Sequence, residues 1–164
     1  MIKKVLDVCC GCKMFWFVKN DSRVIYADAR KGKLDVSHCK TNPGKKEINP
    51  DVIHDFRDMD FDDNSFWHIV FDPPHIKNIS LASVLGFSYG SLNKETWRGD
   101  LTKGFAECFR VLKPNGTLIF KWNEIQIPLK EVLSLTKFKP LYGHNSGKSA
   151  KTHWVAFIKN EEEI

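Results

Sequence analysis

The stretch 65-SFWHIVFDPPHIK-77 decides how the rest of the chain is read. Phe66 to Phe71 form an apolar run that stops abruptly at Asp72-Pro73-Pro74-His75. Neither proline can donate a backbone hydrogen bond, so the strand ends there and the two residues after the carboxylate are conformationally fixed. An uninterrupted apolar run of this length is what a strand buried on both faces of a parallel sheet looks like. Its carboxyl end would carry Asp72.

Working outward, Lys3 to Val8 reads as a short buried strand in which Asp7 precedes a glycine turn at Gly11. Arg23 to Ala27 is a second strand ending at Asp28, and Asp51 to His54 a third ending at Asp55. A helix is predicted over Cys12 to Asn20, and a polar loop from Asp28 to Asn49. Downstream, a Ser/Gly-rich loop reaches about Leu92, and Asn93 caps a helix that runs to Leu112. Leu112-Lys113-Pro114-Asn115-Gly116 turns the chain into a fifth strand, Thr117 to Trp122. Pro128 opens a helix to about Thr136, as proline does at a first helical position. Lys139 to Tyr142 and Thr152 to Lys159 close the chain as strands. Short apolar strands separated by helices imply an α/β, doubly wound, mostly parallel sheet. Such sheets bind ligands at the carboxyl ends of their strands, and here the first four ends carry Asp7, Asp28, Asp55 and Asp72.

The 164 residues, 42% of them hydrophobic and 12% aromatic, are expected to form a single domain over 1–164, with no room for a separate target-recognition domain. No apolar run approaches the roughly 20 residues of a bilayer span, and Asp7 interrupts the only stretch resembling a signal peptide. A cytoplasmic protein without membrane contact is expected. The five cysteines are odd in number, and Cys9, Cys10 and Cys12 crowd together, unlike a disulfide framework. Cys9 and Cys12 lack a zinc-module spacing to His38-Cys39, and Gly11 between them suits a tight turn, so no metal is expected.

The net charge of +5 is modest, but its distribution is uneven. Lys137 to His153 holds four lysines and two histidines with no acidic residue, beside Phe138, Tyr142 and Trp154. A second basic stretch, Lys40 to Lys46, surrounds Asn42-Pro43-Gly44. Basic residues beside aromatic ones suit a polyanion with stackable rings, that is, nucleic acid.

These stretches resemble the class I S-adenosylmethionine-dependent methyltransferases along nearly the whole chain. "VLDVCCGC" is similar to the family's first motif and "VIYAD" to its second. "VIHDFRDMDFDDNSF" is similar to its third, "FRVLKPNGTLIF" to the approach to its fifth strand. "DPPH" resembles the D/N-P-P-Y/F/W motif of the subgroup that methylates exocyclic amines of nucleobases. The resemblance implies a Rossmann-like seven-stranded sheet with an antiparallel last strand, and S-adenosylmethionine as cofactor. Asp28 would accept the ribose hydroxyl protons, Asp55 would meet the adenine amine with Phe56 beside the ring, and Gly11 and Cys9 would let the backbone pass close to the methionine half. Asp7 would hold the turn or the amino end of the cofactor. The first motif departs from the family's pattern of three alternating glycines, because Cys9, Gly11 and Lys13 occupy those positions.

The same resemblance gives Asp72-Pro73-Pro74-His75 its chemistry. The Asp72 carboxylate and the Pro73 carbonyl could each accept a proton of a base amine, exposing the nitrogen lone pair, and the prolines would fix that geometry in advance. His75 stands where the family carries a ring that stacks on the target base, and adds a titratable group. Phe87, Tyr89, Trp97 or Trp122 could stack instead. Lys148 and Lys151 in "YGHNSGKSAKTHW" are candidate phosphate contacts. The loops Ile76–Leu92 and Gly143–Thr152, a specificity-conferring partner or a homodimer could supply target recognition. The expected reaction is methyl transfer to adenine-N6 of DNA or RNA. A non-catalytic cofactor- or nucleic-acid-binding module, or a methyltransferase for a protein or small-molecule amine, is the alternative.

Overall fold

The computed structural model of the protein describes residues 4–37, 44–145 and 151–160. In chain order its elements are β1 (Val5–Asp7), β2 (Val24–Asp28), β3 (Gly32–Asp35), β4 (Lys45–Ile48), β5 (Val52–Ile53), β6 (Phe66–Phe71), α1 (Val84–Tyr89), α2 (Trp97–Val111), β7 (Leu112–Asn123), α3 (Leu129–Leu133), β8 (Tyr142–Asn145) and β9 (Thr152–Ile158). Seven strands form one sheet in the order β5-β2-β1-β6-β7-β9-β8. Strands β5, β2, β1, β6 and β7 run parallel, and β9 runs antiparallel to both of its neighbours. The expected doubly wound α/β sheet with an antiparallel last strand is present.

The topology places the site. From β1 the chain steps outward through β2 to β5, then returns to the other side of β1 to lay down β6 and β7. The direction reverses between β1 and β6, and a crevice opens at the carboxyl ends of such a pair. Those ends carry Asp7 and Asp72.

The core explains why β6 reads as an unbroken apolar run. Ile69 and Phe71 of β6 and Leu118 and Phe120 of β7 are fully or almost fully buried, together with Leu101, Phe105, Cys108 and Phe109 of α2. The Phe105 ring lies 4.9 Å from Phe120 and 5.4 Å from Phe71. Burying one such side chain stabilises the fold by about 1.5–3 kcal/mol. Gly104 lets α2 close on this layer, since a Cβ there would sit 2.6 Å from the Phe56 ring and 2.8 Å from Phe71.

Several elements differ from expectation. The segment Cys12–Asn20 forms turns rather than a helix. Gly11 and Lys13 both adopt positive φ (47° and 53°), which breaks a right-handed helix at its first turn. The side chains then diverge: Lys13 lies over the Tyr26 ring, Trp16 donates its indole N–H to Asp7, and Phe15 meets Trp154 edge-on. The polar loop before Asn49 contains an antiparallel hairpin, β3–β4, pairing Gly32 with Ile48 and Asp35 with Lys45. The Ser/Gly-rich loop contains α1, whose Ser83 side chain accepts from the Gly86 amide at 3.0 Å. Asn93 instead shapes the turn ahead of α2, its side chain accepting from the amides of Glu95 and Thr96. The Lys113–Gly116 turn is an insertion within β7: Phe66 pairs with Leu112 and His68 with Thr117. Strand β8 begins at Tyr142, where the predicted strand ended. No helix among the described residues is long and apolar enough to cross a membrane.

Candidate active site

The turn after β1 hangs between its two neighbours. Val8 donates its amide to the Val70 carbonyl at 3.0 Å, Cys10 to Ala27 at 2.8 Å, and Gly11 to the Asp28 side chain at 2.9 Å. The end of α1 lies directly over it, because a Cβ on Gly11 would meet the Ser88 carbonyl oxygen at 3.2 Å. Two cavities flank this turn. The larger, about 320 Å³, is walled by Asp28, His54, Asp55, Phe56 and Arg57. The smaller, about 20 Å³, lies among Gly11, Asp72, Pro73, His75 and Tyr89. Cys9, Arg30 and Pro74 line both.

Asp28 is buried, and four donors already fill its carboxylate. Oδ1 accepts from the amide and Nε of Arg30, and Oδ2 from Arg30 Nη2 and the Gly11 amide, all at 2.9–3.1 Å. Arg30 also donates to the carbonyls of Phe87 at 2.7 Å and Gly86 at 3.3 Å, tying α1 to the end of β2. Asp55 is held in the same local way by Arg57, which reaches on to Asp100 of α2 at 2.9 Å. That guanidinium holds the Asp55 carboxyl below the usual range. Phe56, half-buried, leans on Phe71 at 5.7 Å and faces the larger cavity.

Asp7 and Asp72 have a different environment. Asp7 is fully buried; Oδ2 accepts from Trp16 Nε1 at 2.7 Å, and Oδ1 has no hydrogen-bond partner among the described residues. Burial pushes its carboxyl up to about 7, against the pull of the Trp16 bond. Asp72 Oδ2 accepts from Lys121 Nζ at 2.6 Å. Burial raises the Asp72 carboxyl, and Lys121 opposes the rise. Lys121 in turn sits over the Phe15 and Trp154 rings, at 5.4 and 5.8 Å.

His75 packs its imidazole 5.3 Å from the Tyr89 ring and 6.2 Å from Trp122. Burial, and then the Lys121 charge, lower it to about 4, so the ring is neutral near pH 7 and its expected titration does not occur there. Burial pushes the Cys9 thiol well up, which removes it as a nucleophile at neutral pH.

The expected residues therefore fall into two groups around one turn: Asp28, Asp55 and Phe56 at the larger cavity, and Gly11, Asp72, Pro73 and His75 at the smaller. Cys9 and Pro74 join the two, while Asp7 lies beneath the turn. Among the alternative stacking residues, Trp122 is fully buried and spends its N–H on the Ile127 carbonyl, and Trp97 is 4% exposed in the core. Neither presents a face to a ligand. Tyr89 lines the smaller cavity, and Phe87 packs near Gly32. Lys151 is exposed, and its carbonyl accepts the Glu124 amide; Lys148 and the His38-Cys39 pair lie outside the described residues. Sequence reasoning missed Arg30, Arg57, Lys121 and Trp16. A signal for the first two exists: both strand-end aspartates 28 and 55 read Asp-x-Arg.

No protein-family model matches the sequence, and no curated protein matches it. Solved structures do match its fold. A Pyrococcus horikoshii protein superposes with a TM-score of 0.61 at 18% identity, over 96% of this chain and 82% of that one. A SAM-dependent methyltransferase from Methanosarcina mazei matches at 0.53 and 14% identity, over 96% and 92%. The Burkholderia thailandensis 1,6-didemethyltoxoflavin-N1-methyltransferase, solved with bound 1,6-didemethyltoxoflavin and S-adenosylhomocysteine, matches at 0.53 and 13%, over 96% and 71%. The sheet order, the reversal between β1 and β6, and these superpositions agree: the chain has the fold of SAM-dependent methyltransferases.

Proposed function

We propose that this protein is an S-adenosylmethionine-dependent N-methyltransferase that acts on an exocyclic amine of a nucleobase, adenine-N6 of DNA or RNA. The observation that carries this reading is Asp72-Pro73-Pro74-His75, fixed at the end of β6 beside the Gly11 turn, with Asp72 clamped by Lys121.

The residues present fit the cofactor. The larger cavity offers carboxylates at Asp28 and Asp55 and an aromatic wall at Phe56, the groups that ribose hydroxyls and an adenine ring require. The unpartnered Asp7 Oδ1 beneath the turn suits an ammonium group, directly or through water. When bound, S-adenosylmethionine supplies a methyl group on a cationic sulfonium. Because Arg30 fills both oxygens of Asp28, the ribose hydroxyls compete with its guanidinium for them, and Arg30 is the residue that must give way.

The protein's own part in the chemistry is orientation. Lys121 favours the ionised form of Asp72 and fixes one oxygen, leaving the other to accept a proton of the target amine. The Pro73 carbonyl, rigid between Asp72 and Pro74, accepts the second. The amine nitrogen is thereby biased toward a tetrahedral form with its lone pair exposed. Neutral His75 and the Tyr89 ring offer flat surfaces to the base, but the pocket between them, about 20 Å³, must widen before a base enters. The proton is lost only as positive charge develops on the amine, so no strong base is required.

The test is transfer of labelled methyl from S-adenosylmethionine to unmethylated DNA and, in parallel, to unmodified RNA, followed by digestion to nucleosides. Label in N6-methyladenosine or its deoxy form is the expected result and selects the polymer. Label in neither, with cofactor binding intact, overturns the base-amine reading. That outcome would favour a protein or small-molecule amine, or a binding module.

A further inference from the structure

Next to the smaller cavity lies a polar cleft of about 490 Å³ between the β1–β2 loop and the β3–β4 hairpin. Its walls include Lys13, Lys19, Lys45 and Lys46, and it shares Cys12 and Met14 with the pocket that holds Asp72. We propose that this cleft carries the phosphodiester backbone of the polynucleotide whose target base enters the pocket at Asp72. The inference rests on the nucleobase reading above and deepens it by naming the surface that holds the polymer.

Three observations separate the cleft from an ordinary solvated lysine face. First, the charges are uncompensated: among the described residues, none of the four ammonium groups pairs with a carboxylate. The one acidic residue in the cleft wall, Glu47, is engaged by Lys33 across the hairpin at 3.3 Å. Second, one cation is fixed in advance. Lys13 takes positive φ, is 8% exposed and holds Nζ 4.0 Å above the Tyr26 ring. A positive charge held this way loses little freedom when an anion arrives. Third, the field reaches the junction with the reaction pocket. At Cys12 the charges of Lys46, Arg30 and Lys19 all oppose the rise that burial causes in the thiol.

Lysine clusters recognise phosphate as point charges, without sequence preference, and their affinity falls with salt in proportion to the phosphates neutralised. Contiguity through Cys12 and Met14 lets the phosphates flanking a base held against His75 and Tyr89 run into the cleft. The β3–β4 hairpin, mostly polar and exposed at Lys33, Asp35, Lys45 and Glu47, thereby acquires a purpose that packing does not give it.

The test is fluorescence anisotropy of the full chain with labelled single-stranded DNA and, separately, single-stranded RNA across a sodium chloride series. It compares Lys45→Gln/Lys46→Gln with Lys94→Gln/Lys103→Gln, which removes the same charge near and on α2. The cleft variant is expected to bind about tenfold more weakly at low salt, with a log–log salt slope shallower by about 1.4, roughly 0.7 for each lost contact to a single strand. Its affinity for S-adenosylhomocysteine and its kcat at saturating oligonucleotide should match the parent, with KM raised. The α2 variant should keep the parent slope. An unchanged slope in the cleft variant, or an equal change in the α2 variant, overturns the cleft assignment and leaves the nucleobase reading standing. A parent protein that binds neither oligonucleotide overturns both.

Discussion

Asp28 and Asp55 end adjacent strands, and each is gripped by an arginine two residues further on; Asp7 and Asp72 end the next two strands, and each has one side-chain donor from further away, Trp16 in the following loop and Lys121 on β7. The outer pair is self-contained: the chain that delivers the carboxylate also delivers its counter-charge. The inner pair is buried at the switch point, where Trp16 and Lys121 arrive from other elements. Burial raises both inner carboxyls, whereas Asp55 is lowered by its arginine. Carboxylates held by a local arginine suit a binding surface once that arginine yields to the ligand. A desolvated carboxylate with one oxygen spoken for suits a group that must accept a proton in a defined direction.

The sharpest test of this division is at Asp72. Asp72→Ala is expected to lower methyl transfer by about 10²–10³-fold, the usual cost of losing one oriented group at a reacting centre. Titration calorimetry should show S-adenosylhomocysteine affinity retained. Equal loss of both would make Asp72 a binding residue like the outer pair.

Next comes its counter-ion. In Lys121→Met the Asp72 carboxyl loses the charge that opposes its upward shift, so it holds its proton to higher pH. Turnover near pH 7 should fall about tenfold and recover as pH rises. A drop that is flat with pH would mean that Lys121 serves packing against Phe15 and Trp154 instead.

The outer pair predicts a stability difference between two similar arginines. Arg30 is 26% exposed against a 4% exposed Asp28, while Arg57 and Asp55 are 42% and 38% exposed. An exposed pair contributes less than about 1 kcal/mol, and breaking a buried one costs about 3–5. Arg30→Ala should therefore cost about 2 kcal/mol in urea unfolding and Arg57→Ala less than about 1. Arg30→Ala should also tighten cofactor binding, by removing the competitor at Asp28, and loosen α1, read as faster amide exchange at Phe87 and Ser88. Equal costs for the two variants would erase the distinction between them.

The smallest expected effect concerns His75. Its folded value of about 4 lies below the ordinary 6.5, so the unfolded chain binds the proton first. Stability from this group is full above about pH 6.5 and is lost as pH falls toward about 4. His75→Phe should flatten that part of the acid-unfolding curve while leaving the pH–rate profile above about pH 6.5 unchanged. An inflection near pH 6.5 that disappears in the variant would show an imidazole exposed to solvent.

How much of this was legible in the sequence depended on burial. Strands β1, β2 and β6 could be read with their terminal aspartates because both faces of a parallel sheet are apolar, and Asp72-Pro73-Pro74 is legible wherever it stands; β5, at the exposed edge, showed only as Val52-Ile53 ahead of Asp55. The hairpin β3–β4 escaped because Lys45, Lys46 and Glu47 give no apolar run, and α1 because six residues in a Ser/Gly-rich stretch show too little periodicity. The helix expected over Cys12–Asn20 fails where its aromatic residues already spoke against it: Phe15 meets Trp154, Trp16 meets Asp7 and Tyr26, and Phe17 is exposed, so they share no face. Lys121 was invisible as a site residue, since a charged side chain reads as solvated until the strand ends beside it are known, whereas Arg30 and Arg57 left a trace in the repeated Asp-x-Arg that went unread.

Strand β1 is made first yet lies deep within the sheet, with Val5 in register with Val24 on one side and His68 on the other. During synthesis on the ribosome, β1 and β2 have only the two-residue β5 beside them until β6 has emerged, and so small a sheet holds itself together poorly in water. Their apolar surface stays open to other nascent chains throughout that interval. Pairings this distant in sequence make for slow closure. The arrangement that assembles the crevice between β1 and β6 is therefore also the one that delays it, and the yield of folded protein rests on how quickly β6 finds a strand completed long before it.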